Sequence, residues 1–145
     1  MRLSIITITY NNLVGLRKTA DSVLEQTVSD FEWIIIDGAS TDGTKEYLAA
    51  MAAKLQITNC KLQIISEPDK GIYNAMNKGI RLAQGEYIQI LNAGDCLAAA
   101  DVTERMLNAL TEQTAKVGQP IDILYGNMLK VDDKGKLIGK SGYTE

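Results

Sequence analysis

The chain has 145 residues, 46% hydrophobic and 23% charged, which fits one globular domain and excludes a disordered tail, a collagen-like repeat or a coiled-coil rod. Lys and Arg total 15 against 18 Asp and Glu, a net charge of −3 with no basic excess to hold a nucleic-acid backbone. Histidine is absent, so Ser-His-Asp and Cys-His nucleophile systems and imidazole ligands are excluded and carboxylates must carry any acid or base chemistry.

Leu3 to Thr9 is short, β-branched and nearly all apolar, the pattern of a parallel strand covered on both faces. Leu13, Leu16, Ala20, Val23 and Leu24 then recur at helical spacing, and Trp33 to Ile36 forms a second apolar run ending at Asp37-Gly38. Ser40 to Thr44 offers several N-cap oxygens before a helix from Lys45 to Leu55, followed by a strand from Leu62 to Ser66. Ile72, Ala75, Met76, Gly79, Ile80 and Ala83 predict a third helix, and Glu86 to Leu91 a fourth strand. Asp101 to Glu104 has capping-box spacing, so a fourth helix is expected there, burying Val102, Met106, Ala109 and Leu110. A fifth strand is expected at Ile121 to Tyr125, and a hairpin where Met128 to Val131 and Leu137-Ile138 flank Asp132 to Gly135.

This alternation, βαβαβαβαβ and then a hairpin, predicts an α/β fold with a mainly parallel, doubly wound sheet whose ligand site lies beyond the carboxyl ends of the strands. The candidate site segments are therefore 9–12, 37–42, 66–72 and 92–96. Cys60 and Cys96 lie far apart without Cys-x-x-Cys spacing, which suggests free thiols in a reducing cytoplasm. The N-terminus has neither a signal h-region nor a small-residue cleavage site, and no stretch approaches membrane-spanning length.

The turn after the first strand, Thr9-Tyr10-Asn11-Asn12, is neither G-x-G-x-x-G nor a P-loop, so phosphates must be held by a metal ion or by basic side chains. This demotes dehydrogenase and NTPase readings. Asp37, at the end of the second strand, can accept from a ribose hydroxyl or from the imide N–H of uracil or thymine, or can serve as a turn aspartate. Asp95 follows the fourth strand, where a carboxylate suits Mg²⁺ or Mn²⁺ shared with a diphosphate, or closes a turn. Cys96 adjoins no base that would activate it, and Tyr73, first on an amphipathic helix, is expected to pack rather than to stack on a base.

Four stretches in this order, Ser4 to Asn11, Ile36 to Thr44, Glu67 to Gly79, and Gly85 to Ile88 with Leu91 to Asp95, resemble the family 2 glycosyltransferases with the GT-A fold. The third resembles the subgroup attached to bacterial capsule, exopolysaccharide and lipopolysaccharide assembly. The resemblance implies an inverting transfer from a nucleotide-diphosphate sugar to a saccharide or lipid-linked hydroxyl, in the cytoplasm or peripheral to the inner face of the membrane, while Asp37 at a strand end and the missing glycine-rich loop point to UDP or dTDP as the nucleotide. It implies that Thr7, Thr9 and Tyr10 border the base, that Asp37 contacts base or ribose, that Asp69, Lys70, Gly71 and Lys78 line the donor pocket with Asn92 and Ala93, and that Asp95 holds Mn²⁺ or Mg²⁺. Where the family's motif carries further acids, this chain has Asn92 and Gly94, so Asp95 stands without acidic neighbours in that motif.

The general base is expected beyond Glu145, so residues 1–126 are read as a nucleotide-sugar-binding domain and 127–145 as a hairpin leading into an acceptor-side region. On that reading the apolar hairpin favours self-association. Two other readings stay open: a non-catalytic nucleotide-sugar binding module, and a nucleotidyltransferase, although the glycine-rich basic loop of the latter is missing.

Overall fold

A computed structural model describes residues 1–55 and 61–142. Cys60 therefore lies outside the described residues. Two compact units emerge, Met1–Thr103 and Glu104–Glu145.

In the first unit the chain runs β1 (Leu3–Thr9), α1 (Leu13–Leu24), β2 (Phe31–Asp37), α2 (Thr44–Leu55), β3 (Lys61–Ser66), α3 (Ile72–Leu82) and β4 (Tyr87–Ile90). The four strands form one parallel sheet in the order β3-β2-β1-β4. After β3 the chain returns across β1 to place β4 on its other side, so the order reverses between β1 and β4. In open α/β sheets a crevice for ligand forms at such a reversal, outside the carboxyl ends of the strands.

Every residue of β1 and β2 is buried, as their near-continuous apolar runs require of a sheet covered on both faces. One face carries Ile6, Ile8, Ile34 and Ile36 against Ala75 of α3. Burying side chains of this size stabilises the fold by about 1.5–3 kcal/mol each. α3 approaches closely because Gly79 lacks a side chain: a Cβ there would stand 2.5 Å from Ile6 Cγ2. On the other face, the indole of Trp33 donates to Thr7 Oγ1 at 2.9 Å.

At the amino end of the sheet a charge is fully buried. The Glu32 carboxylate accepts from Ser4 Oγ (2.7 Å) and from the Gln84 N–H (2.5 Å), with Gln63 Nε2 at 3.3 Å and Lys61 Nζ at 3.8 Å. Burial pushes the Glu32 carboxyl up, but the hydrogen bonds from Ser4 and Gln84 and the Lys61 charge outweigh it and leave the group below the usual carboxylate range.

The fourth helix, α4 (Val102–Val117), starts inside the capping-box segment. Its buried stripe is Thr103, Leu107 and Leu110, one position along from the expected Val102, Met106 and Ala109, because Thr103 joins the buried face. The expected strand at 121–125 is not a strand. Its backbone is irregular, with Ile123 and Tyr125 exposed, so the apolar run is not held in the half-buried setting of a sheet strand. The hairpin is present: β5 (Met128–Val131) pairs antiparallel with β6 (Leu137–Ser141). No helix among the described residues is long and apolar enough to cross a membrane.

Candidate functional site

The sheet register sets the site. Thr9 lies across from Asp37, and Asp37 across from Ser66, so β1, β2 and β3 end level with one another. β4 continues beside β1 beyond its last strand residue, since the Leu91 and Ala93 N–H groups donate to the carbonyls of Ile6 and Ile8 at 2.8 and 3.0 Å. A cleft of about 330 Å³ opens at these ends, lined by Ile8, Thr9, Tyr10, Asn12, Asp69, Gly71, Ile72, Asn92 and Ala93. It sits at the reversal between β1 and β4.

The loops are laced together by short polar side chains. Asn11 adopts a left-handed backbone (φ 46°), which asparagine tolerates better than most residues, and its N–H donates to Ser40 Oγ at 2.8 Å. Asn11 Oδ1 accepts from the Thr41 N–H at 2.8 Å. Asp42 accepts from the Leu13 N–H at 2.9 Å and from Thr44 Oγ1 at 2.6 Å, joining the start of α1 to that of α2. These hydrogen bonds, that from Thr44 foremost, hold the Asp42 carboxyl below its ordinary value.

Asp37 is fully buried. It accepts from Ser40 Oγ (2.5 Å), from the Ser40 N–H (3.2 Å) and from Ser66 Oγ (2.6 Å). Its carboxylate thus braces the loop after β2 rather than lining the cleft. Thr7 stays inside the sheet on Trp33. Lys78 is also turned to structural use, 2.9 Å from Glu67 Oε1 and donating to the Pro68 carbonyl at 3.1 Å, so it ties α3 to the loop that carries Asp69. Lys70 is exposed and is not part of the cleft wall.

Thr9, Tyr10, Asp69, Gly71, Asn92 and Ala93 are the expected site residues that the structure does bring together. Gly38 lets two of them approach its backbone: a Cβ there would lie 2.9 Å from Asp69 Oδ2 and 3.2 Å from the Tyr10 ring. Asp69 accepts from the Gly71 N–H at 3.0 Å, at the start of α3. Tyr73 is 78% exposed, a correction to the packing expected of it: the apolar face of α3 is turned to the sheet through Ala75 and Gly79, and Tyr73 falls off that face. Cys96 is an exposed residue with a free thiol, and partial desolvation, aided by the Asp95 and Asp21 charges, pushes it above its ordinary pKa, so it is no activated nucleophile.

Asn12, inside the expected segment 9–12, does line the cleft; sequence reasoning missed Ser66 and Ser40 as partners of Asp37 and missed Asn12 as the α1 cap, where Asn12 Oδ1 accepts from the Gly15 N–H at 3.1 Å. An asparagine followed three residues on by a helical glycine is the available signal for the cap. Ser66 meets Asp37 through strand register, which has no local signature.

Asp95 is exposed in the turn after β4, its N–H donating to the Asn92 carbonyl at 2.9 Å. Two buried oxygens at the cleft, Thr9 Oγ1 and Asn92 Oδ1, have no hydrogen-bond partner among the described residues. Asp95 is not among the residues that line the cleft; carboxylate and neutral oxygens of this kind are the donor chemistry that Mg²⁺ and Mn²⁺ take. Among the described residues no three acidic, Cys or His side chains cluster, so a cation here would draw its other ligands from phosphate and water, as Mg²⁺ commonly does.

Comparisons with known proteins bear on the family and the fold. The sequence profile described as Glycosyl transferase family 2 matches residues 4–136. A "PGL/p-HBAD biosynthesis glycosyltransferase" of Mycobacterium bovis (strain BCG / Pasteur 1173P2) is 36% identical over 126 residues, covering 87% of this chain and 46% of that protein. An uncharacterized glycosyltransferase of Mycobacterium tuberculosis (strain ATCC 25618 / H37Rv) is 36% identical over 110 residues, covering 75% and 40%. The chain thus spans about half the length of the curated relatives it matches. Among solved structures, a mannosyltransferase from Pyrobaculum calidifontis in complex with GDP-Man and Mn²⁺ superposes with a TM-score of 0.67 at 26% identity, over 87% of this chain and 34% of that one. S. aureus TarS with UDP-GlcNAc, at 23% identity and a TM-score of 0.64 over 79% and 32%, shares the fold.

Proposed function

The chain belongs to glycosyl transferase family 2, and from that premise we propose that it is the donor-binding part of a glycosyltransferase that moves a sugar from a nucleoside-diphosphate donor to a hydroxyl acceptor. The observation that carries this reading is the cleft at the reversal between β1 and β4, walled by residues from all four motif segments but the second. The second segment braces the wall from behind, through Asp37, Ser40 and Gly38. Solved relatives holding GDP-Man with Mn²⁺ and UDP-GlcNAc support the donor class.

In this reading Tyr10, Asp69, Gly71 and Ile72 form the nucleoside side of the cleft, with a uracil or thymine base beside the loop that Asp37 braces. Thr9 Oγ1 and Asn92 Oδ1 supply unpaired oxygens to the donor. Asp95, with Asn92, would hold Mn²⁺ or Mg²⁺, which when bound neutralises charge on the departing diphosphate. The general base that takes the proton of the acceptor hydroxyl is assigned to a part of the protein outside these residues, in keeping with relatives about twice as long. The acceptor is a saccharide or lipid-linked hydroxyl of bacterial surface-polysaccharide synthesis, and the site of action is the cytoplasm or the inner face of the membrane.

Calorimetry with UDP, dTDP, GDP and ADP, each with and without Mn²⁺, tests the reading. UDP or dTDP is expected to bind better than ADP, and Mn²⁺ to tighten that binding. Asp95→Asn should abolish most of the Mn²⁺ effect and leave the fold intact. Equal binding of all four nucleotides removes the pyrimidine assignment, and no binding of any of them removes the donor site.

A further inference from the structure

We propose that α1 is the positioning element for the Asp95 loop and that Thr19 is its central residue. The inference rests on the reading that Asp95 holds the cation of a nucleoside diphosphate.

Residues 91–101 form no helix or strand, yet a loop at the end of a buried strand must still satisfy its backbone polar groups. Side chains of α1 and of the residues at its two ends do this: Thr19 and Ser22 stand three residues apart on the helix, Asn12 is its N-cap and Gln26 follows its C-cap. Asn12 Nδ2 donates to the Ala93 carbonyl at 3.2 Å. Thr19 Oγ1 accepts from the Gly94 N–H at 3.0 Å and donates to the Asp95 carbonyl at 2.7 Å. Ser22 Oγ accepts from the Leu97 N–H at 3.1 Å. Gln26 then donates to the Ala99 carbonyl at 2.8 Å and accepts from the Thr103 N–H at 2.9 Å.

Every one of these contacts is to backbone, so α1 fixes the course of the loop whatever its side chains are. At Asp95 the effect is greatest. The residue's carbonyl is held by Thr19, and its N–H by the Asn92 carbonyl at 2.9 Å, so both of its peptide groups are fixed while the carboxylate is exposed. The Thr19 hydroxyl is fully buried and touches the two residues on which the orientation of that carboxylate depends. A ligand on a short turn gains affinity when its backbone is already fixed in the bound conformation. Thr19 is thus a positioning residue that acts on the cation through Asp95.

The test compares Thr19→Val, which keeps the shape and removes the hydroxyl, with Thr19→Ser, which keeps the hydroxyl. Binding of UDP and of GDP to the 145-residue chain is measured with and without Mn²⁺, bound Mn²⁺ is followed by electron paramagnetic resonance, and folding is checked by circular dichroism. Thr19→Val is expected to weaken Mn²⁺ binding about tenfold, the lower end of what losing a support behind a metal ligand does, with metal-free nucleotide affinity unchanged and Thr19→Ser near the parent chain. A full Mn²⁺ effect in Thr19→Val overturns the inference, as does an equal loss with and without metal. Should Thr19→Val fail to fold, Ser22→Ala, which removes the contact to Leu97, is expected to show a smaller loss confined to the Mn²⁺-dependent component, and its absence overturns the inference. Asp95→Asn separates the two levels. If it retains the Mn²⁺ effect, the cation assignment itself fails; if it loses the effect while Thr19→Val retains it, the positioning role alone fails. A parent chain showing no Mn²⁺-dependent binding overturns both.

Discussion

A carboxylate at a strand end can recognise a ligand or hold its own loop, and at Asp37 the hydrogen bonds decide between them. With Ser40 Oγ, the Ser40 N–H and Ser66 Oγ all donating to a group fully removed from solvent, the acceptor capacity of Asp37 is turned inward. Replacing it by Asn sets an N–H₂ group against at least one hydroxyl donor. Asp37→Asn is therefore expected to lower unfolding free energy by about 1–3 kcal/mol, the cost of disrupting hydrogen bonds to a buried charged group. Through the shared loop it should weaken UDP and ADP binding alike. A selective loss of UDP, with stability unchanged in urea titration, would show that Asp37 reads the base directly. Lys78 makes a parallel case, an expected donor-pocket cation whose charge is spent on Glu67 and the Pro68 carbonyl.

Among the elements, β2 is the one whose sequence conceals most. Phe31-Glu32-Trp33-Ile34-Ile35-Ile36 reads as an apolar run, and the glutamate within it gives no sign that it will be buried and ringed by Ser4, Gln84, Gln63 and Lys61. Because the folded-state pKa of Glu32 lies below its unfolded value, its contribution to stability is present above the ordinary carboxylate pKa of about 4.3 and is lost as pH falls through the folded value. Urea midpoints should therefore fall on acidification below about pH 4.3, and Glu32→Gln should reduce that dependence, leaving the part that Asp42 contributes, while lowering the midpoint at neutral pH. An unchanged acid limb in Glu32→Gln would place the titration elsewhere. β1 to β4 and α1 to α4 were legible because hydrophobic period and cap residues are local signals, and so were the loops at the strand ends. Contacts set by register were not: Ser66 lies 29 residues from Asp37, and Gln84 lies 52 from Glu32. The 121–125 run failed as a strand for the complementary reason, since an apolar run becomes a strand where a sheet half-buries it, and here Ile123 and Tyr125 are exposed.

For the molecule as a whole, the parallel sheet and its cleft belong to the unit Met1–Thr103, while the β5–β6 hairpin belongs to Glu104–Glu145. A two-stranded hairpin is marginal in water unless a face is covered, and here all four residues of β5 are exposed, as are Leu137 and Ile138. Met128, Leu129 and Val131 on one strand and Leu137 and Ile138 on the other present apolar side chains and free strand edges together, a combination that promotes pairing with another chain. The 145-residue chain is accordingly expected to form dimers or larger species whose proportion falls on dilution in multi-angle light scattering. Replacing Leu129 and Ile138 together by Lys should return it to a monomer without changing nucleotide affinity, because neither residue lines the cleft. A monomer at every concentration in the parent chain would show that the hairpin surface is tolerated in water, and a dimer that survives the double substitution would move the association to another face.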